Sequence, residues 1–508
     1  MVSIKAKRLY WQIKGEAVTD LEHQLELLRE RVARIDRKYA PSAGPAKAEL
    51  PEPAPWREKP AKYFIEEWSD GQVVENEHGP HFEMERHWAS HRRHGSADIG
   101  ALAELPASLL DAIGGGEIPE WSPTRWAFLD TETTGLAGGS GTYAFLIGVG
   151  RITADGFRVR QFFMREHHEE MSLLAALSSH LSEFDVLITY NGKTYDQPLL
   201  ETRYRMNWLT PPFARLPHLD LLHGARRIWK LRFENCKLSY LENQILGFER
   251  EGDLPGEMIP YVYFEYLRSK EAGRLVPIFH HNAIDILTLG CLTAIVPSAF
   301  RGADADSLER LGLRRGDEML GVGRWLLAAG ECERGLALIE RALTRGLRDE
   351  LAFRALWEIA QTEKKRGGAD RALEALTELA GCKNDYRTKS LVELAKHYEH
   401  TERNHALALE FTLEALKHGG GGEQGSGTRG QGPGFGEEQG SGARGQGPGA
   451  RGRGPGVREE LQRRKARLEK RVAAGARGQG SGNRGPGTEA GRQQRLKPQT
   501  SAKADAAD

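Results

Sequence analysis

Cysteine is scarce in this sequence, and the few cysteines lie far apart. No two of them form a Cys-x-x-Cys pair in the 508-residue chain. Disulfide frameworks, iron–sulfur clusters and zinc knuckles need cysteines that are closely spaced or more numerous, so these classes of site are excluded. The pattern predicts a protein of a reducing compartment, the cytoplasm. The cysteines are Cys236, Cys291, Cys332 and Cys382.

Long apolar segments are also absent. The N-terminal residues lack the apolar stretch that a signal peptide requires. The longest apolar run, Ile286 to Phe300, contains Pro297 and is too short to cross a bilayer comfortably. The sequence therefore predicts a protein that does not associate with a membrane.

The sequence has no excess of charge of either sign. Its 71 basic and 71 acidic residues give a formal net charge of +0. No overall field therefore attracts a polyanion, and any contact with nucleic acid has to come from local basic patches.

Residues 118–300 carry the clearest pattern of secondary structure. RWAFLD reads as a buried strand, and TYAFLIGVGRI and FRVRQFFMRE follow as strands joined by the turn Asp155-Gly156. Next come a helix, the strand DVLITYN, a second helix, the short strand LPHLDLL and further helices. A meander of three strands followed by alternating helices and strands predicts an α/β fold with a mixed sheet flanked by helices.

The C-terminal part of the chain changes from helical repeats to low complexity. The segments RGLALIERAL, RALEALTELA and LALEFTLEAL recur about every 35 residues, close to the tetratricopeptide period. Such hairpins commonly bind peptides, so we expect a protein partner. Glycine-rich repeats then follow that cannot form a packed core. They are interrupted by VREELQRRKARLEKRVAA, which predicts a basic helix that caps the repeats.

These patterns divide the chain into seven segments, with roughly two to three folded units among them. The segments are an N-terminal amphipathic helix with a Pro-rich linker (1–60), a small β-rich extension (61–117), the α/β domain (118–300), the helical repeats (306–418), a disordered Gly-rich insert (419–456), the basic helix (457–474) and a disordered tail (475–508).

Two carboxylates at the end of the first strand of the α/β domain point to metal chemistry. Asp130 and Glu132, in the segment LDTETTGL, are two residues apart and so lie on the same side of an extended strand. Two such carboxylates repel each other unless a cation lies between them. Hard oxygen ligands of this kind favour Mg²⁺ or Mn²⁺ over zinc.

Further acidic residues follow in the same order as the predicted elements. Asp196 lies at the expected start of a helix in NGKTYDQPLLETRY, and Asp285 lies in the apolar helix HHNAIDILTL. His281 precedes Asp285 by four residues and shares its helical face. Asp220 ends another predicted strand, where a structural role is favoured over metal ligation.

Four carboxylates of this kind suit a site with two metal ions. One ion would lower the pKa of the attacking water, and the other would stabilise the leaving 3′ oxygen. A histidine could accept the proton of that water, because its pKa lies near neutrality.

The motifs D-x-E-x-T-G-L, N-G-x-x-x-D and H-N-x-x-D together resemble the DEDD superfamily of 3′–5′ exonucleases. The longer segments around them, such as WAFLDTETTGLAGGSGTYAFLIGVGR and DLPGEMIPYVYFEYLRS, are similar to the bacterial YprB-like ribonuclease H-like proteins, which carry trailing tetratricopeptide-type helices. The resemblance covers residues 60–300 well and the repeats loosely. It implies a ribonuclease H-like fold, but it does not supply the substrate. Our main hypothesis from the sequence is hydrolysis of single-stranded or frayed DNA or RNA from its 3′ end. The resemblance also implies two Mg²⁺ or Mn²⁺ ions held by Asp130, Glu132, Asp196 and Asp285.

The resemblance offers two positions for the proton acceptor. One branch of the superfamily has a histidine five residues before the last aspartate, where this sequence has His280. Another has a tyrosine four residues before it, where this sequence has His281. The H-N-x-x-D pattern aligns with His281, which we favour, with His280 as the alternative.

Two other functions remain open from the sequence. A ribonuclease H-like domain without activity could dock partners through its repeats, as a scaffold. A structure-specific endonuclease could use the same metal site. The sequence does not choose between DNA and RNA, because the two-metal chemistry does not involve the sugar.

Overall fold

A seven-stranded mixed sheet organises the protein in the computed structural model, which describes residues 64–114, 118–135, 141–418 and 456–479. The strand order is β1-β2-β7-β6-β5-β8-β9, and β3 and β4 form a separate two-stranded ladder. The strands are β1 (Gln72–Asn76), β2 (Gly79–Ala89), β3 (Arg93–His94), β4 (Ala97–Asp98), β5 (Trp126–Thr133), β6 (Ala144–Thr153), β7 (Gly156–Phe163), β8 (Val186–Thr189) and β9 (His218–Asp220).

The predicted meander and the parallel strands after it meet at β5. This strand is antiparallel to β6 and parallel to β8, which is in turn parallel to β9. Its first four residues, Trp126 to Leu129, are buried because it lies inside the sheet and is covered on both faces. The predicted mixed α/β sheet, flanked by helices and followed by a helical region, is confirmed.

The first two strands of the segment predicted as a small β-rich extension are part of the main sheet. β1 pairs with β2, and β2 pairs with β7 along the register from Phe82↔Phe163 to Ala89↔Gly156. Two strands of the predicted extension thus join the sheet of the α/β domain, whereas β3 and β4 pair with each other. Backbone hydrogen bonds between strands depend on long-range pairing, which the short local patterns of this segment do not reveal.

Helices alternate with the strands from β7 to β9, and in the described part of the chain only helices follow after β9. Short 3-10 turns connect several of them. The helices are α1 (Asp111–Gly114), α2 (Glu170–Leu181), α3 (Asp196–Met206), α4 (Leu221–Trp229), α5 (Leu238–Leu241), α6 (Ile259–Ser269), α7 (Val276–Gly302), α8 (Ala305–Arg310), α9 (Gly316–Ala328), α10 (Cys332–Arg345), α11 (Asp349–Arg366), α12 (Ala369–Gly381), α13 (Arg387–His400), α14 (His405–His418) and α15 (Val457–Gln479).

Helix α7 crosses one face of the sheet very closely. A Cβ atom at Gly148 of β6 would overlap Asn282 and Ile286 of α7, and one at Gly150 would overlap Ile286 as well. The two glycines therefore let the helix approach the strand, and this approach brings the acidic end of β5 next to α7.

Among the described helices, the stretch Ala272–Gly302 has the length and apolar composition of a membrane span. Within its most apolar window, 72% is buried inside the protein, as expected for a core helix. Pro297 lies inside α7 and does not end the helix.

The helical hairpins pack directly on the α/β domain. In α9, Gly321 lies so close to α4 that a Cβ would overlap the carbonyl oxygens of Arg227 and Ile228. Buried residues of α9 such as Leu320 belong to the same apolar cluster as buried residues of α7 such as Leu287. The hairpins and the sheet therefore share one hydrophobic core.

The predicted basic helix is α15, which extends to Gln479, five residues further than expected. Its Leu461 and Leu468 are buried, and its Arg464 binds Glu399 of α13. The predicted N-terminal helix, the Gly-rich insert up to residue 455 and the tail from residue 480 lie outside the described residues.

Candidate active site

Asp130 and Glu132 lie on the face of β5 that α7 covers. Asn282 of α7 donates from Nδ2 to Oδ2 of Asp130 over 2.9 Å. The Oδ1 atom of the same asparagine accepts a hydrogen bond of 2.8 Å from Nε2 of Gln161 on β7. Because Asn282 and Gln161 are both buried, this chain of hydrogen bonds fixes the position of the Asp130 carboxylate relative to the helix.

Asp196 approaches the same part of β5 from the opposite side of the strand. It is the first residue of α3, and its Oδ1 accepts a hydrogen bond of 2.5 Å from Oγ1 of Thr131. Thr131 lies between Asp130 and Glu132 in the strand, so a single strand positions all three carboxylates.

Asp220 holds the loop that leads into α3. Its carboxylate accepts hydrogen bonds from the backbone N–H groups of Asn191 at 2.7 Å, Lys193 at 3.2 Å and Leu222 at 3.1 Å. Asn191 has a φ of +70°, a conformation that asparagine tolerates better than most residues. These contacts give Asp220 the structural role that was favoured for it.

The carboxylates are close enough to repel one another. Burial raises the pKa of Asp130 well above its usual value, and the nearby charges of Asp285 and Asp196 raise it further. The pKa of Glu132 is raised well above normal by burial and then by Asp130, Asp285 and Asp196. Burial raises the pKa of Asp196 to about 6. The structure thus brings the four predicted carboxylates into one cluster whose members repel one another.

In this arrangement the cluster does not yet form a coordination sphere. Among the described residues, no three His, Cys, Asp or Glu side chains are placed so as to hold a metal ion. Oδ1 of Asp285 instead accepts a hydrogen bond from the guanidinium of Arg250. The donors are still of the type that divalent cations prefer, four carboxylates whose mutual repulsion a cation would relieve, so their chemistry fits Mg²⁺ or Mn²⁺. Ligation by all four remains a prediction.

The two candidate histidines point in different directions. His281 shares hydrogen bonds with Asp253 through Nδ1, at 2.8 and 3.0 Å, while its Nε2 is 3.5 Å from Oδ2 of Asp285. Burial alone would lower its pKa, but the Asp253 hydrogen bond and the Asp285 charge raise it on balance. His280 is exposed, and its Nδ1 lies 3.0 Å from Nη1 of Arg86. Only His281 of this pair contacts the carboxylate cluster.

Sequence reasoning missed three residues at this site. Arg250 and Asp253 lie in the loop FEREGDLPG, where no periodic pattern or acidic motif marks them. They lie within the segments that carry the family resemblance, but the resemblance assigns them no role. Asn282 is the asparagine of the H-N-x-x-D pattern, so the motif itself contained a signal for it.

Comparison with known proteins agrees with the fold. A family model described as the RNase_H superfamily matches residues 127–296, the range from β5 to α7 that contains all four carboxylates. The uncharacterized protein YprB of Bacillus subtilis (strain 168) is 31% identical over 293 residues, which is 57% of this chain and 68% of YprB. Ribonuclease H-like nucleases generally use divalent metals, and their fold implies nucleic-acid binding. This chain therefore belongs to the same family as YprB, and its residues 127–296 are a ribonuclease H superfamily domain.

Proposed function

We propose that this protein is a metal-dependent 3′–5′ exonuclease that hydrolyses single-stranded or frayed nucleic acid with the help of two Mg²⁺ or Mn²⁺ ions. One observation carries the proposal. Asp130, Glu132, Asp196 and Asp285 come from a strand and two helices far apart in the sequence, yet they interact in one cluster that also contacts His281.

The four carboxylates would hold the metal ions, which, when bound, supply an activated water and a positive charge beside the leaving 3′ oxygen. The neighbouring side chains hold these catalytic groups in position. Asn282 orients Asp130, Thr131 orients Asp196, and Asp253 fixes the imidazole of His281 through Nδ1. This leaves Nε2 of His281 facing the cluster, where it can accept the proton of the attacking water.

Exposed side chains beside the cluster suit a single-stranded substrate. Tyr195, directly before Asp196, is 59% exposed, and Lys193, two residues before Tyr195, is exposed as well. An exposed aromatic ring can stack on an unpaired base, and a lysine can contact a phosphate. Both groups lie in the loop that Asp220 holds, so their position relative to the carboxylates is defined.

The decisive experiment is a nuclease assay with purified full-length protein on 5′-labelled single-stranded DNA and RNA. We expect a ladder of shortened products with Mn²⁺ or Mg²⁺, none with EDTA, and none with Asp130→Asn. A single internal cut would instead support an endonuclease with the same metal site. Equal degradation by wild type and Asp130→Asn would identify a contaminant and remove the proposal.

The same assay separates the two histidines. His281→Asn should lower kcat by about a hundredfold or more, the usual range for loss of a general base. His280→Asn should change kcat little, because His280 is directed at Arg86. The reverse order of the two variants would assign the base to His280.

A second candidate is a scaffold without catalytic activity. It is favoured by the contact of Arg250 with Asp285, which occupies one of the expected ligands. In such a protein the hairpins α9–α14, whose repeat resembles that of tetratricopeptides, would bind a protein partner. Absence of cleavage for every substrate and metal in the assay would support this role.

A further inference from the structure

The most unusual feature of the cluster is the arginine buried beside it. Arg250 lies between α5 and α6, and its side chain is only 8% exposed. Its guanidinium donates from Nε to Glu242, from Nη2 to Asp285, and from Nη1 to Oδ2 of Asp253 over 3.3 Å. One planar cation thus connects three carboxylates, of which one is a predicted metal ligand and another orients His281.

Glu242 fixes the guanidinium from behind. Its side chain is 1% exposed, and it also binds Nε2 of His94 over 3.0 Å and the hydroxyl of Thr288. Thr288 lies three residues after Asp285 on α7, so the hydroxyl that holds Glu242 and the predicted metal ligand belong to the same helix. Burial raises the pKa of Glu242, but its hydrogen bonds with His94 and Arg250 lower it on balance, which keeps this carboxylate charged.

We propose that Arg250 is a built-in cation that neutralises the Asp285 side of the cluster in the metal-free protein, and that a divalent ion gains Asp285 only by displacing the guanidinium. The inference rests on the proposed function in one respect, that the cluster is a metal site. Its consequence is that the two metal positions differ in affinity. The position that includes Asp285 is the weaker one, and Arg250 determines by how much.

The chemistry of arginine indicates that a divalent ion has to compete with Arg250 for Asp285, because the guanidinium is not released by losing its proton. A guanidinium keeps its proton in proteins, so Arg250 cannot leave Asp285 by becoming neutral. The carboxylates of Asp285 and Glu242 hold its pKa above the usual value despite its burial. It can still leave Asp285 by a small movement, because Glu242 and Asp253 would retain its other nitrogens. Since Asp253 also binds His281, this movement would couple metal binding to the position of the base.

The test is a Mn²⁺ titration of the full-length protein, by calorimetry and by the electron paramagnetic resonance signal of free Mn²⁺. Wild type should show one tight and one weak site. Arg250→Gln removes the competing charge a few ångström from Asp285 and should tighten the weak site about tenfold or more, with little effect on the tight one. Arg250→Lys, which keeps the charge but not the planar fork, should give an intermediate affinity.

A matched control is available in the same chain. Arg232 binds Glu318, whose side chain is 1% exposed like that of Glu242, but this pair lies between α4 and α9. Arg232→Gln should lower the melting temperature as Arg250→Gln does, yet leave Mn²⁺ binding unchanged. Circular dichroism identifies any variant that fails to fold, and Arg250→Lys then carries the comparison.

The outcomes separate this inference from the proposed function. Two equal sites in wild type, or an affinity in Arg250→Gln that is unchanged or weaker, overturns the role of Arg250. If Mn²⁺ binding shows the expected difference but no nucleic acid is cleaved, only the exonuclease proposal falls. If neither wild type nor Arg250→Gln binds Mn²⁺, both fall.

Discussion

At the scale of single residues, the carboxylate cluster is unfavourable for the folded protein. The pKa values of Asp130 and Glu132 are raised well above normal by burial and by neighbouring carboxylates. A raised pKa in an acid means that the charged form is penalised on folding, so these residues reduce stability at neutral pH. Such a cost is typical of residues that are retained for function rather than for stability.

Replacing Asp130 by asparagine should therefore stabilise the metal-free protein while removing its activity. We expect the free energy of unfolding to increase by about 1–2 kcal/mol, because one buried charge is lost and the hydrogen bond to Asn282 can be kept. Thermal melting in EDTA measures this increase in stability. The rise in melting temperature that Mn²⁺ causes should be smaller in Asp130→Asn than in wild type. Asp304→Asn is a control of opposite sign, because Asp304 caps α8 and its pKa is lowered by hydrogen bonds from Ser307.

His218 makes the stability of the folded protein depend on pH. Its ring binds Thr189 at 2.7 Å and Gln197 at 2.5 Å, and burial lowers its pKa to about 4, helped by the charge of Lys193. In the unfolded chain this histidine takes up its proton near pH 6.5, whereas in the folded protein its lowered pKa delays protonation to about pH 4. Its contribution to stability is thus complete above pH 6.5 and is lost as pH falls through that window.

Chemical denaturation at pH 7 and pH 4 tests this expectation. The contribution of His218 should amount to at most about 3 kcal/mol over the window. His218→Gln keeps hydrogen-bonding groups but cannot titrate, so its stability should fall less between the two pH values. His223→Gln, at an exposed position, should follow the wild-type curve.

At the scale of elements, the contact between α7 and β6 aligns the site. Asp130 belongs to β5, whereas Asn282 and Asp285 belong to α7, and the spacing between them depends on the absence of side chains at Gly148 and Gly150. The hydrogen bond of Asn282 to Gln161 on β7 ties the same helix to a third strand. The geometry of the cluster is therefore a property of helix-on-sheet packing.

Two alanine substitutions separate packing from alignment. Gly148→Ala and Gly150→Ala should each lower the free energy of unfolding by about 1–3 kcal/mol, because each overfills the helix–sheet contact. Only Gly148→Ala pushes against Asn282, so only this variant should also lower kcat, by tenfold or more. Equal activity of the two variants would show that Asn282 does not align Asp130.

At the scale of the whole molecule, the last described helix, α15, packs against α13 of the helical region. Glu399 of α13 is fully buried, and it accepts hydrogen bonds of 2.8 Å from both Arg464 and Arg467 of α15. Burial raises the pKa of Glu399, but these arginines lower it on balance. A helix that follows 38 residues after α14 thus supplies the charges that a buried carboxylate needs.

Removing one of these charges should be costly. Arg464→Ala leaves Glu399 with fewer partners in a buried position, and we expect a loss of about 1–3 kcal/mol. The double variant with Glu399→Gln should recover part of the loss, because the buried charge is then gone. Urea denaturation of the four proteins gives the coupling energy, and a value near zero would mean that the pair of Arg464 and Glu399 does not help to hold α15 in place.

The sequence by itself determined the elements and the candidate chemistry. The strands β5 to β9 and the helices after them follow local periodicities of two and 3.6 residues, which are visible without any contact. The spacing of Asp130 and Glu132 and the H-N-x-x-D pattern are local as well, and they indicated the acidic residues and His281.

Only the tertiary structure decided how these parts meet. The joining of β1 and β2 to the main sheet depends on pairing between strands about 80 residues apart, as in Phe82↔Phe163. The contacts of Arg250 with Asp285 and of His281 with Asp253 depend on how α7 packs against the loop that precedes α6. Hydrogen bonds and charge interactions act over a few ångström in space, irrespective of separation along the chain, so no local pattern could reveal them.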